Sequence, residues 1–431
     1  MSGIDQARLW AMLEALSAHT DPAQRWTRRS FTPLYAEGRA WIAERMRDAG
    51  LKVSMDAGGN LVGRREGRVD GRSNASAVAL PPLVTGSHTD TVPQGGRYDG
   101  ILGVIAGIEV ARSLRDDAIE LDHPLEVVDF LAEEPNKFGL SCVGSRAWAG
   151  MLDASSFTAR APDGEDFGTA FAAISGKPAG GTAADVAGAR GAGSIAAFVE
   201  LHIEQGPVLE EKAIPIGVVT AIVGIRRLRV RIDGRADHAG TTPMTIRRDA
   251  LVGASRIVDS IHCRASAADP ASGYLVATVG HLLVEPNAIN AVPARVEFIV
   301  EMRSDHDALL DALQTSIDAD LEKLLPPLGL EWLVSPLSRT APTVCAAPLM
   351  EAIEAAAQDL GYRSMRMPSG AGHDAAFVSR CGPVGMIFVP CLGGRSHCAE
   401  ESITPQQAAD GAKVLRETLL RLDRAMGGTQ T

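Results

Sequence analysis

The residues best able to do chemistry gather in a few turn-rich stretches. In GSHTDTVPQGGRYDG, residues 86–100, His88 and Asp90 lie two positions apart, so on an extended segment both side chains leave the same face. Asp99 follows a Pro-Gln-Gly-Gly loop able to fold the chain back on itself. That spacing suits a metal ligand with an orienting carboxylate beside it, and a second carboxylate arriving from the far side of a loop. Farther along, Glu133 and Glu134 close the apolar run LEVVDFLAEE, His202 stands in ELHIEQGP and His397 in GGRSHCAEE. These histidines and carboxylates sit beside Gly, Ser or Pro, where the backbone can turn. Imidazole with carboxylate and no thiolate suits zinc, manganese, cobalt or nickel, and argues against a structural cysteine-type zinc. Two adjacent glutamates at a strand end project differently, so one can ligate while its neighbour handles protons.

The elements that must position these groups read as an α/β sheet. A helix is expected through roughly residue 18, a second over 35–50, and two short strands around an Ala-Gly-Gly-Asn turn. LPPLVTGSH reads as a buried strand delivering His88 at its carboxyl end, GILGVIAGIEVARSL as a helix whose small residues allow close packing, and LEVVDFLAEE as a strand ending on the paired glutamates. Polar residues at the carboxyl ends of such strands are the layout of an α/β site. SGKPAGGTAADVAGARGAG reads as a flexible surface connection. From about residue 224 the texture changes to strand-helix-strand-strand-helix-strand, the split βαβ pattern. Its first helix is expected to start at Thr241 or Thr242 with Pro243 in the first turn, its second at a Ser304 cap. α/β texture returns with PLMEAIEAAAQDLG and VGMIFVP. The fold class is therefore α/β: a discontinuous catalytic domain, 1–223 and 339–431, with an inserted four-stranded α+β lid, 224–338.

Bulk properties set the remaining bounds. A chain of 431 residues, 45% hydrophobic and 22% charged, is too long for one typical core, so two domains are the default. With a net charge of −11, 4% aromatic residues and no Lys/Arg-rich run, neither a nucleic-acid groove nor a membrane-surface patch is expected. The start MSGIDQARLWAMLEAL is an amphipathic helix pattern without the basic flank and cleavage site of a signal peptide. The six cysteines are scattered, with no CxxC pair, and read as reduced thiols of a cytoplasmic protein.

Seven segments in order, GSHTDTVPQGGRYDGILGVIAGIEV, LAEEPNKFGLSCVGSRAWAG, ELHIEQGPVLE, GRADHAGTTPMTIRRDA, EPNAINAVPARVEFIVEMR, SGAGHDAAF and GGRSHCAEE, resemble the hydantoinase/carbamoylase branch of the aminoacylase-like dinuclear metallohydrolases. The resemblance spans nearly the whole chain. It implies two divalent metal ions, with His88 and His202 on one, Glu134 and His397 on the other, and Asp99 bridging. It makes Asp90 the group that orients His88, Glu133 the general base and His238 the stabiliser of the oxyanion. Asn290 and Arg303 would hold a substrate carboxylate, Gln205 would line the pocket, and the glycines of SGAGH, Gly372 among them, would offer backbone N–H groups. The activity implied is hydrolysis of N-carbamoyl-L-amino acids, with N-carbamoyl-β-alanine and allantoate as alternative substrates and a silent amino-acid-binding relative as the remote one. Relatives dimerise through the lid, so a homodimer is expected, with a small ureido compound as its partner. Three departures bear on substrate: PNKFGLSC after the glutamates, EMR in place of Asp-x-Arg, and SHCAEE without a proline after the histidine. His373 is equally a structural residue or a substrate contact, and Cys398 is not taken as a ligand.

Overall fold

In the computed structural model, which describes residues 3–68, 80–175 and 190–427, the chain forms two compact units. One comprises Met1–Thr220, Cys345–Met367 and Gly372–Thr431, the other Ala221–Val344 and Pro368–Ala371. The strands in chain order are β1 (Lys52–Met55), β2 (Leu61–Arg65), β3 (Leu83–His88), β4 (Leu125–Phe130), β5 (Ala197–Ile203), β6 (Ile216–Ile222), β7 (Gly224–Asp233), β8 (Leu275–Glu285), β9 (Arg295–Ser304), β10 (Glu331–Thr340), β11 (Thr343–Val344), β12 (Ser364–Ser369) and β13 (Val384–Val389).

The large sheet has the order β1-β2-β4-β3-β5-β13-β6-β11, with β12 also paired to β6. Its centre, β4-β3-β5-β13, is parallel, while β1, β2 and β6 join it antiparallel. β3, β4, β5 and β13 are buried at every position, as parallel strands covered on both faces must be. Register then does the positioning. His88 pairs with Phe130 and His202 with Phe388, so the carboxyl ends of the four central strands lie along one edge. These strand ends and the loops that follow them carry the candidate ligands.

Helix Ile101–Asp116 packs on this sheet, and its glycines make the approach possible. A Cβ on Gly103 would stand 2.5 Å from the Leu201 carbonyl oxygen and 2.8 Å from Ser87 Cβ. Alanine normally favours a helix interior over glycine by about 1 kcal/mol, but overpacking against backbone costs about 1–3 kcal/mol. Gly103→Ala is therefore expected to destabilise the protein despite its better helix propensity; a denaturant midpoint at or above that of the parent would show that the helix can shift away.

The smaller unit has an antiparallel sheet, order β10-β7-β9-β8, with helices Ala250–Ser266 and Asp307–Leu324 covering one face. Alternation makes that face apolar: Val230, Ile232, Phe298 and Val300 pack with Ile257, Leu310, Ile317 and Leu321. The other face carries Arg227 against Glu301 and Arg229 against Glu297.

Three boundaries differ from the sequence reading. β4 stops at Phe130, so Glu133 and Glu134 belong to the turn beyond it, where Ala132 has φ +51°. Helix Ala250–Ser266 starts from Asp249, whose carboxylate accepts from the N–H groups of Leu251 and Val252, and not from Thr241 or Thr242. Pro243 has ψ 146°, an extended conformation that no helix propagates through, and Arg247 ties down the carbonyls of Thr242 and Ala239. Ser304 is still strand, paired with Gly224 and Leu275; its hydroxyl accepts from His306 N–H, and the second helix begins at Asp307. Of the segment read as a flexible connection, 176–189 lies outside the described residues. All six cysteines are free thiols, and among the described residues no helix is long and apolar enough to cross a membrane.

Candidate metal centre

Ligating atoms of His88, Asp99 and His202 lie within 4.8 Å of one another, as do those of Asp99, Glu134 and His397. Asp99 is common to both groups. Its Oδ1 is 3.1 Å from His202 Nε2 and its Oδ2 is 3.0 Å from His397 Nε2, while Glu134 Oε1 is 3.3 Å from His397 Nε2. Four residues, His88 and His202 at the ends of β3 and β5 and Glu134 and His397 from the loops after β4 and β13, thus gather around the Asp99 carboxylate.

Each histidine on a strand end has its ring fixed by a backbone carbonyl. His88 Nδ1 donates to the Asp90 carbonyl at 3.0 Å and His202 Nδ1 to that of Ile203 at 2.8 Å. A carbonyl can only accept, so the proton sits on Nδ1 and Nε2 offers its lone pair to the centre. Asp90 contacts both His88 and the paired glutamates. Its carboxylate lies 3.6 Å from His88 Nδ1 and accepts instead from the N–H groups of Glu133 and Glu134, each at 3.2 Å. Asp90 orients His88 through its main chain and the paired glutamates through its side chain.

The donor set fits divalent metal ions. Asp90, Asp99, Glu134, Glu200, Asp374 and Glu401 are all buried, more negative charge than the histidines balance, and unpaired buried charge is expensive. Asp99 Oδ1 is buried without a hydrogen-bond donor among the described residues. Gly100, with φ +69°, keeps the space open: a Cβ there would fall 2.3 Å from His88 Nε2.

Electrostatics follow the same crowding. Burial opposes charging of His88, but Glu133, Asp90, Asp99 and Glu134 outweigh it and hold the imidazole well above its ordinary value. Hydrogen bonds to Asp99 and Glu134 push His397 up to about 11. Burial would raise Asp99, yet the adjacent His202 and His397 rings pull it well below the usual carboxylate range. Glu133 goes the other way: burial, with the charges of Glu134, Asp374 and Asp90, raises it well above that range against the pull of His88. Glu133 Oε2 stands 3.7 Å from His88 Nε2, and its Oε1 accepts the Cys142 thiol at 3.4 Å.

Gln205, with φ +58°, donates from Nε2 to Asp99 Oδ2 at 3.0 Å and to Ser396 Oγ at 3.3 Å. Gly372 lies ahead of the short helix Ala375–Val378, in open space. His238, Asn290 and Arg303 belong to the smaller unit. His238 Nδ1 accepts from Gly240 N–H at 3.0 Å and Thr241 N–H at 3.2 Å, which leaves the ring proton on Nε2 as a donor. Its neighbour Ala239 donates to the Asn290 carbonyl and His238 pairs with Ala291 in an antiparallel bridge, so the two candidate residues sit on adjacent segments. The Arg303 fork is partly engaged, through Nε to Glu301 Oε1 at 2.7 Å and Nη1 to the Gly370 carbonyl at 2.7 Å.

The sequence reading missed a buried support layer. Glu401 accepts from Tyr98 N–H at 2.9 Å, Asp99 N–H at 3.0 Å and Ser396 Oγ at 2.8 Å, gripping the backbone of Asp99 from the loop that carries His397. Glu200 accepts from Ser87 Oγ at 2.7 Å and Ala375 N–H at 3.3 Å. Asp374 accepts Ser145 Oγ at 2.5 Å, and the His373 ring packs edge-on against His202 at 4.5 Å between centroids. One signal was readable: Glu200 and His202 are two apart in a strand, hence on one face. Nothing in the sequence joins Glu401 to Asp99.

A model of peptidase family M20/M25/M40 matches residues 84–421. The chain is 38% identical to the N-carbamoyl-L-amino acid amidohydrolase of Geobacillus stearothermophilus, over 97% of this chain and 99% of that protein. It is 34% identical to the ureidoglycolate hydrolase of Arabidopsis thaliana, over 97% of this chain and 87% of that one. Among solved structures, an amidase of the hydantoinase/carbamoylase family from Burkholderia multivorans superposes with a TM-score of 0.87 at 37% identity, covering 97% of this chain and 98% of its own.

Proposed function

Because the chain belongs to peptidase family M20/M25/M40, we propose that it is a metal-dependent amidohydrolase acting on a linear ureido amide, the carbamoyl C–N bond of an N-carbamoyl-L-amino acid. The observation that carries this reading is the shared carboxylate: Asp99 faces His202 on one oxygen and His397 on the other, with Glu133 alongside His88. His88 and His202 would hold one divalent ion, Glu134 and His397 the other, and Asp99 both; zinc, manganese, cobalt or nickel suits these donors. Bound there, the ions supply positive charge that acidifies water and polarises the carbamoyl oxygen.

The chain's own residues do the rest. Glu133 takes the proton of the attacking water and passes it to the leaving nitrogen. His238 directs its Nε2–H at the carbamoyl oxygen, which becomes the oxyanion as water adds to the carbamoyl carbon. Arg303 and Asn290 hold the carboxylate, Gln205 lines the pocket and Gly372 offers its N–H. One water is consumed: R–NH–CO–NH2 and H2O become R–NH2, CO2 and NH3. The smaller unit is read as a lid that excludes water and as a dimerisation domain. In support of the latter, the outer strand β8 exposes Leu282 at 43% and Leu283 at 54%. The protein is read as a cytoplasmic homodimer.

Ammonia release tests the reading directly. The protein is stripped with chelator, reloaded separately with each of the four metals, and offered N-carbamoyl-L-amino acids, N-carbamoyl-β-alanine and allantoate. Metal-dependent release from the L-α compounds is the expected result. Release from only the β-alanine compound or allantoate keeps the chemistry and changes the substrate; silence throughout, with two metals bound, leaves a binding protein. On the substrate that turns over, Arg303→Lys is expected to raise KM by about 10–100-fold with kcat little changed, because an ammonium cannot reproduce the planar two-pronged grip. An unchanged KM removes Arg303 from carboxylate binding.

A further inference from the structure

Behind the loop that runs from His88 to Asp99, a cavity of about 10 Å³ is lined by Arg28, Arg97, Ser17, Thr20, Trp26 and Thr91, with His19, Gly96 and Ile101. That is room for one water-sized species. Arg28 is 2% exposed, and its guanidinium touches only backbone carbonyls: Nε donates to Thr89 at 2.8 Å, Nη1 to Leu16 at 2.9 Å and His19 at 2.8 Å. Its Nη2 is buried with no acceptor among the described residues. Arg97 stacks on Trp26, 4.5 Å from the ring centroid, and on Tyr98, 5.3 Å. Its Nη2 pairs with Glu14, while its Nε is likewise buried without an acceptor.

Among the described residues no aspartate or glutamate lines the cavity; Arg97 has its counter-charge in Glu14, whereas the Arg28 guanidinium is held by backbone carbonyls with no carboxylate in contact. Burial draws Arg28 down to about 10, with the charges of Asp129 and Asp90 opposing from farther away. The hydroxyls are already committed: Thr91 Oγ1 accepts from Arg28 N–H and donates to the carbonyl of Val92 or Trp26, and Thr20 Oγ1 accepts from Thr27 N–H. A water here would meet donors and find little to receive its own protons. An anion only accepts.

We propose that this cavity is a binding site for a monatomic anion of the chloride class, held between Arg28 and Arg97. Its position gives it a consequence for the metal centre. Arg28 Nε holds the carbonyl of Thr89, the residue between His88 and Asp90, and Arg28 and Thr91 exchange a further backbone bond, Thr91 N–H to Arg28 O at 3.1 Å. Arg97 stands two residues before Asp99. A bound halide therefore ties together both ends of the loop that presents His88 and Asp99.

The test needs no substrate, so it succeeds or fails independently of the proposed activity. Holoprotein in sodium gluconate is titrated with sodium chloride or bromide at constant ionic strength while its melting temperature is followed. A saturable rise of about 2 °C is expected for the parent, and none for Arg97→Gln, whose side chain is 23% exposed and lies outside the hydrophobic core. Arg28→Met is a second variant with the same expectation. Crystals grown in sodium bromide should give an anomalous peak in contact with both guanidinium groups. No peak in this cavity, or an equal halide response in parent and Arg97→Gln, overturns the proposal.

Discussion

Glu133→Gln is expected to lower kcat by on the order of 10³-fold, about 4 kcal/mol of barrier, while leaving two metal equivalents in place. The amide is isosteric with the carboxylate, so it retains the contact with Cys142, and the main-chain N–H still reaches Asp90. What it cannot do is accept a proton from the attacking water and release it to the leaving nitrogen. Neither cluster of candidate ligands includes Glu133, which is why metal content should survive. The informative measurement is kcat and metal stoichiometry on one preparation. Turnover within threefold of the parent would refute the base assignment, and loss of metal would reassign Glu133 as a ligand.

The second large effect is expected at the shared carboxylate. Asp99→Asn keeps the volume but removes the charge that both clusters have in common, and one of its two oxygens becomes a donor facing His202 or His397. Metal content measured by mass spectrometry is expected to fall below one equivalent per chain, and activity by at least about 10³-fold. Stability should follow the same linkage. In the parent, chelation leaves buried carboxylates facing one another, so melting temperature should drop and recover on reloading. In Asp99→Asn the chelator should make little difference. A variant that still binds two equivalents would show that the two sites do not depend on a common ligand.

Much of this centre was legible in advance because strand ends are local features. An apolar run that stops at Gly-Ser-His or at Glu-Glu announces a buried strand delivering polar groups to a sheet edge, and parallel strands deliver them to the same edge. His88 and His202 carry that local mark; Asp99, Glu134 and His397 lie in turn-rich loops, and the family resemblance supplied the ligand set. The structure gathers the five in two groups of three that share Asp99. Helix starts were less legible. Thr241 and Thr242 read as caps, but the helix starts from Asp249, and the extended backbone at Pro243 and the bonds from Arg247 keep the earlier segment out of it.

The sequence by itself determined which residue types meet at the sheet edge, because side-chain chemistry and a period of two are properties of the chain. It made the mixture of strands and helices in the chain legible for the same reason. Tertiary structure alone decided what holds those residues still. That Asp90 serves the glutamates with its carboxylate and His88 with its carbonyl depends on a separation of tenths of an ångström. That Glu401 grips Asp99, and that Arg28 and Arg97 share one cavity, depends on residues 302 and 69 positions apart in the chain. No local pattern encodes such pairs. They exist only when the whole core has packed and buried polar groups must find partners within it.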